Sequence, residues 1–314
     1  MRPLLTPPAL KPGDRVAVVA LSGPPGRQEL DLGLAALRSV GLLPEVFPSA
    51  RAVGPYPYLA ADDKVRAEDL ARALGQPGYA AVICARGGYG VQRALEVLDW
   101  DAVGTPEPRV VVGFSDVTAL IEAVRSRLGW ASVYGPMVSS VMFRSGVPSF
   151  EGLARLLLTP QRCTELVFQD TRVLVPGVAE GVTVGGTASL LATSLATPFS
   201  VPARDGILFL EDVGELPYRL DRVLTQLRRT GYLDGVRGIL CGTWDECGPL
   251  ADVEELLADR LGDLGVPVLL GADIGHGVFM QSLPLGVRAR LDTAAATLTF
   301  LDPPLTPAAP VSAG

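Results

Sequence analysis

Three side chains, far apart in the sequence, have the types and settings needed for acyl-transfer chemistry. Ser115 follows the apolar run Val110-Val111-Val112-Gly113-Phe114 and precedes Asp116 and a helical pattern. A serine at such a turn is exposed at a strand's carboxyl end. The next backbone N–H, from Asp116, sits where helix N–H groups lack partners and the helix dipole favours negative charge. That is the setting of a nucleophile elbow with an oxyanion-binding amide, although Val117 breaks the Gly-x-Ser-x-Gly pattern of α/β-hydrolases. The competing reading is that Ser115 or Asp116 only caps the helix.

A serine hydroxyl needs a neighbouring base to become a nucleophile at neutral pH, and an imidazole suits that task. His276, in Gly275-His276-Gly277, is the only histidine in the chain, so a Ser–His hydrolase must use it. The flanking glycines suit a tight loop that lets the backbone pass closely. Glu211 ends the run Ile207-Leu208-Phe209-Leu210 and is placed to orient the imidazole. Asp212 and Glu215 compete for that role. Strand alternation points Asp212 to the other side of the sheet, and either it or Glu215 is expected to cap the helix opened by Pro217.

Arg86-Gly87-Gly88-Tyr89-Gly90 follows a third strand-like run, Ala80–Ala85. As a dinucleotide fingerprint it is weak, because Arg93 stands where a third glycine is needed. The loop can equally offer backbone N–H groups to an oxyanion or a substrate carboxylate. Gly185-Gly186-Thr187 is read as a structural turn.

The elements that must position these residues change character along the chain. Strand-like runs at 15–20, 43–47, 80–85, 110–113 and 131–134 alternate with helical patterns at 28–40, 63–74, 91–98 and 117–128. This alternation predicts a parallel, doubly wound sheet whose functional edge is the carboxyl ends of its strands. Beyond about 160 the strands come closer together: 163–168, 172–175, 178–184, 207–210, 238–241, 266–269, 287–291 and 296–301, with helical patterns at 188–195 and after Pro217. The expected fold is α/β, a Rossmann-like domain over 1–160, a linker over 161–174, and a smaller mixed, β-rich domain over 175–302. Residues 303–314, rich in Pro and Ala, are expected to fray.

With 314 residues, 48% hydrophobic and 19% charged, the chain can build one large or two ordinary cores. A net charge of -7 and no basic run with interleaved aromatics argue against nucleic acid. No apolar stretch approaches the roughly 20 residues that span a bilayer, and Met1–Gly13 lacks a signal-peptide pattern. The four cysteines show no metal-ligand spacing, and a single histidine argues against zinc. The expectation is a cytoplasmic enzyme with reduced cysteines, no metal and no cofactor.

Together these segments resemble the LD-carboxypeptidase family of serine peptidases, which includes the microcin C self-immunity peptidases. The resemblance rests on an ordered set of short motifs: Leu10-Lys11-Pro12-Gly13-Asp14, Arg86-Gly87-Gly88-Tyr89-Gly90, Gly113-Phe114-Ser115-Asp116 and Tyr134-Gly135-Pro136. It continues through Gly185-Gly186-Thr187, Leu210-Glu211-Asp212, Pro217-Tyr218-Arg219-Leu220-Asp221-Arg222 and Gly275-His276-Gly277. Phe114 departs from the tyrosine of many relatives. The resemblance implies Ser115 as nucleophile, Glu211 as acid, His276 as base, and an oxyanion hole from the N–H groups of Gly88 and Asp116. It also implies a homodimer and release of terminal D-alanine from murein tetrapeptides in cell-wall recycling. Arg86 is a candidate for the substrate carboxylate by position. The residue before that alanine, diaminopimelate, lysine or ornithine, stays open. Rival readings are an immunity-type peptidase acting on aminoacyl-nucleotides, an α/β-hydrolase esterase, and a non-catalytic nucleotide-binding α/β protein.

Overall fold

The computed structural model describes residues 4–307. Five short strands, β1 (Arg15–Val19), β2 (Leu43–Val46), β3 (Ala81–Cys84), β4 (Val110–Gly113) and β5 (Ser132–Tyr134), pair in parallel in the order 2-1-3-4-5. The expected doubly wound sheet is present, with its chain reversal between β1 and β3. Alternate residues face opposite ways, as a pleated strand requires. Ala17 and Val19 pack with Leu70 and Leu120 on one face, whereas Val16 and Val18 pack with Leu34 and Leu153 on the other. Helices therefore cover both faces. That is why the central strands β3 and β4 are apolar throughout rather than alternating, whereas the edge strand β2 carries the half-buried Glu45.

The second sheet has eight strands: β6 (Glu165–Val167), β7 (Arg172–Val175), β8 (Val178–Thr187), β9 (Gly206–Val213), β10 (Gly238–Asp245), β11 (Val268–Leu270), β13 (Arg288–Asp292) and β14 (Thr297–Phe300). Strands β8 to β11 run parallel, and the outer strands are antiparallel to their neighbours. The mixed, β-rich expectation matches this sheet. Helix Pro217–Arg229 lays Leu220, Leu224 and Leu227 on one face with Leu208 and Leu210. Phe209, Leu240 and Leu269 on the other face join the cluster that includes Val111 of the first sheet and Leu120 of a helix packed on it. One apolar core thus spans both lobes.

Three boundaries differ from the sequence expectation. The segment 161–174 contains β6 and most of β7, both edge strands of the second sheet, and is not a free linker. The short apolar β12 (Leu283–Leu285) leaves the C-terminal half and pairs antiparallel with β5, closing the edge of the first sheet. The tail is docked as far as it is described. Leu305 is buried, Ala9 N–H donates to the Thr306 carbonyl, and Thr306 N–H donates to that of Pro7. Residues 308–314, the rest of the segment expected to fray, lie outside the described residues, as do residues 1–3. All four cysteines are free, and burial pushes the Cys84 thiol up to about 12 and Cys247 to about 11. Among the described residues no helix is long and apolar enough to cross a membrane.

Candidate active site

Ser115 sits at the carboxyl end of β4 with φ of 62°, a left-handed conformation that a side chain enters at a cost of about 1–2 kcal/mol. The strand turns abruptly there into a single 3-10 turn, Ser115–Val117, and then helix Thr118–Arg127. Neither Ser115 nor Asp116 caps this helix, so the capping alternative does not hold. Room for the sharp turn comes from Gly87, where an added Cβ would lie 3.1 Å from the Ser115 Cβ. The Ser115 N–H donates to the Tyr134 hydroxyl at 3.3 Å, which fixes the turn from the neighbouring strand end.

The Asp116 side chain has a task the sequence reading missed. Its buried carboxylate reaches back to accept from the Ser22 hydroxyl at 2.6 Å and from the Val91 N–H at 3.0 Å. It thereby caps helix Val91–Val97 and ties three loops, after β1, β3 and β4, to one anion. Burial drives the Asp116 pKa up, opposed by these hydrogen bonds. Arg66, fully buried, completes the clamp. Its guanidinium donates to the carbonyls of Leu21 and Gly90 and pairs with Asp63. Arg66 lies in the charged stretch Asp62-Asp63-Lys64-Val65-Arg66 and Asp116 beside a serine, so the sequence carries no signal for this clamp and only packing shows what they hold.

Glu211 and Asp212 lie near the carboxyl end of β9 and face opposite ways, as strand parity predicts. Glu211 shares the side of Phe209 and is fully buried. Its Oε2 lies 2.7 Å from His276 Nδ1, and its Oε1 accepts from the hydroxyls of Tyr134 and Thr187, each at 2.6 Å. Asp212 instead accepts from the Ser189 N–H at 2.8 Å, at the start of helix Ala188–Thr193. The expectation that Asp212 or Glu215 caps the Pro217 helix is corrected. That helix has no side-chain cap, because Leu216 occupies its N-cap position and offers no acceptor, and Glu215 lies 4.0 Å from Arg219. Gly185-Gly186-Thr187, expected as a turn, is instead the end of strand β8 paired with β9, and its Thr187 holds Glu211.

The His276 ring is half-buried beneath Phe114, with centroids 4.9 Å apart. Burial by itself lowers the imidazole pKa. The hydrogen bond and charge of Glu211 more than offset it, and the net shift is upward. With Nδ1–H directed at the carboxylate, Nε2 is left as the basic nitrogen. Gly275 has φ of 128°, and an added Cβ would lie 2.6 Å from Glu211 Oε2. Only glycine lets the backbone pass this close.

Ser115 and His276 line one open cavity of about 480 Å³, together with Gly87, Gly88, Phe114, Met137, Arg86 and Glu29. No hydrogen bond joins the Ser115 hydroxyl to the imidazole among the described residues. Such bonds are often long in a substrate-free site and tighten when substrate orders it. Gly88 has φ of 120° and belongs to the loop that Asp116 and Arg66 hold. Arg86 is exposed and donates to the Pro24 carbonyl at 2.8 Å.

The structure thus brings a carboxylate–imidazole pair and a serine on a strained elbow to one cavity, the residue types a serine hydrolase uses. The chain matches the LD-carboxypeptidase N-terminal domain over residues 16–135 and the LD-carboxypeptidase C-terminal domain over residues 180–291. A Streptomyces coelicolor relative is 48% identical over 307 residues, covering 97% of this chain and 99% of its own. The probable murein peptide carboxypeptidase of Bacillus subtilis is 33% identical, over 93% and 92% of the two chains. Among solved structures, the muramoyltetrapeptide carboxypeptidase of Oxalobacter formigenes superposes with a TM-score of 0.79 at 28% identity, covering 94% of this chain and all of that one. This chain belongs to the LD-carboxypeptidase family.

Proposed function

We propose that the chain is a serine-type LD-carboxypeptidase that releases terminal D-alanine from murein tetrapeptides. The observation that carries this reading is the His276–Glu211 pair at 2.7 Å, with the imidazole and Ser115 lining one cavity. The likeness to the probable murein peptide carboxypeptidase of Bacillus subtilis and the muramoyltetrapeptide carboxypeptidase of Oxalobacter formigenes supports the substrate class.

In this mechanism Ser115 Oγ attacks the carbonyl carbon of the bond joining an L-centre to D-alanine. His276 Nε2 takes the hydroxyl proton while Glu211 holds Nδ1–H and stabilises the imidazolium. The developing oxyanion is received by the N–H groups of Gly88 and Asp116, an interaction type worth roughly 3–4 kcal/mol per donor. The imidazolium passes its proton to the departing amine and D-alanine leaves. Water, deprotonated by the same imidazole, then cleaves the acyl-serine ester and restores the hydroxyl. Arg86, on the cavity rim, is the cation for the terminal carboxylate. Action in the cytoplasm on recycled wall fragments, as a homodimer, belongs to the same proposal.

The test is to incubate wild type and Ser115→Ala with synthetic tetrapeptides ending in D- or L-alanine. The expected result is D-alanine released by wild type alone, from the D-terminated peptide alone. Release by both variants or by neither overturns the reading. Cleavage of an aminoacyl-nucleotide in preference to the tetrapeptide redirects it to the immunity-type branch.

A further inference from the structure

Glu29 is the acid among the residues lining the cavity that Ser115 and His276 share. It lies in the first turn of helix Arg27–Ser39, where a carboxylate is favoured by the helix dipole. Stabilising that helix does not require it to border the cavity, however. Glu29 is exposed, and no hydrogen bond or ion pair engages its carboxylate among the described residues. The nearby Arg144 senses its charge but is occupied elsewhere, donating to the carbonyls of Val138, Ser140 and Phe143. On the same rim Arg86 presents the opposite charge, and it too makes no ion pair among the described residues. The cavity therefore carries one anion and one cation that do not neutralise each other.

We propose that Glu29 is a specificity-determining residue that receives a side-chain ammonium on the substrate residue preceding the scissile bond. This rests on the carboxypeptidase reading above, in which Arg86 takes the terminal carboxylate. A substrate complementary to both charges is a peptide whose penultimate residue is a diamino acid and whose last residue ends in a free carboxylate. The ammonium of such a side chain lies several bonds from the scissile carbonyl. Glu29 therefore acts on binding and leaves the chemical step alone.

The experiment uses two tetrapeptides ending in D-alanine, one with lysine and one with its neutral near-isostere norleucine at the penultimate position. Wild type, Glu29→Gln and Ser115→Ala are assayed on both. The expected result is a wild-type preference for lysine of about tenfold in kcat/KM. Glu29→Gln should remove that preference by raising KM for the lysine peptide, with kcat and all norleucine kinetics unchanged. Equal use of both peptides by wild type overturns the Glu29 assignment. So does an equal loss on both in Glu29→Gln, the signature of a purely structural helix-terminal acid. Failure of wild type to cleave either peptide, or cleavage by Ser115→Ala, overturns the carboxypeptidase reading instead.

Discussion

His276 Nδ1 lies 2.7 Å from Glu211 Oε2, although the two residues are 65 positions apart in the sequence. The carboxylate is fully buried and its second oxygen is taken by Tyr134 and Thr187, so its orientation is held from two neighbouring strands and the His276 loop at once. The imidazole is thereby aimed with its other nitrogen free.

Glu211→Gln should retain the fold and lose about three to four orders of magnitude in kcat, because an amide no longer stabilises the imidazolium or selects its tautomer. Steady-state kinetics alongside circular dichroism checks both halves of that expectation.

The pH profile follows from the raised His276 pKa. The base must be neutral to accept a proton, so activity should fall as pH drops through an apparent pKa above the ordinary 6.5 of histidine. In Glu211→Gln the residual activity should show that limb displaced to lower pH, since burial is then opposed only by the charges of Asp212 and Asp245. The stability sign is the reverse of the activity sign. A raised folded pKa means the protonated imidazole stabilises the fold, fully below the unfolded value, and this contribution is lost as pH rises through the folded value. Asp212, pushed up to about 6 by burial, tilts stability the same way. The wild-type minus Glu211→Gln difference in thermal unfolding against pH isolates the pair.

Ser115→Gly should abolish turnover and yet unfold no more easily than wild type. The residue's φ of 62° strains a side chain but not glycine. An inactive variant that melts several degrees lower would contradict the strained-elbow account.

Asp116→Ala should destabilise the protein by about 2–3 kcal/mol, because it leaves the Ser22 hydroxyl and the Val91 N–H unpaired in a buried setting. Activity of the surviving folded fraction should also drop, as the loop bearing Gly88 loses its anchor. Urea unfolding and kcat per folded molecule separate the two effects.

Gly275→Ala should impair catalysis by at least about a hundredfold, since a misplacement near 1 Å at the reacting groups has that scale. The new methyl would press on Glu211 Oε2 and on the Thr243 hydroxyl, from a backbone conformation that favours glycine. A structure of this variant should show the carboxylate displaced from His276. An unmoved carboxylate with full activity would refute the close-approach argument.

Much of this site was legible in the residues themselves. Apolar runs alternating with helical periodicity specify a parallel sheet, and a sheet places its functional groups at the carboxyl ends of its strands. That logic puts Ser115 after β4, the glycine loop after β3 and Glu211 at the end of β9. The alternation of a single strand separates Glu211 from Asp212. Ser115 and His276 could be singled out because a hydroxyl nucleophile needs a base and the chain has one imidazole. Burial and bonding were not legible in the same way. Nothing in the spacing of Tyr134, Thr187 and Asp116 says that two hydroxyls would converge on Glu211, or that an acid beside a serine would hold two other loops.

The pattern of residues along the chain thus determined the fold class and the residue types able to do the chemistry, because periodicity and turn chemistry are local properties. The tertiary structure decided which groups meet. It merged the two lobes into one core, drew β12 across to the first sheet, and brought the glutamate and histidine to the cavity beside the strained serine. Those outcomes come from long-range packing, in which each apolar face is buried against a partner many residues away, and no local stretch of sequence encodes the identity of that partner.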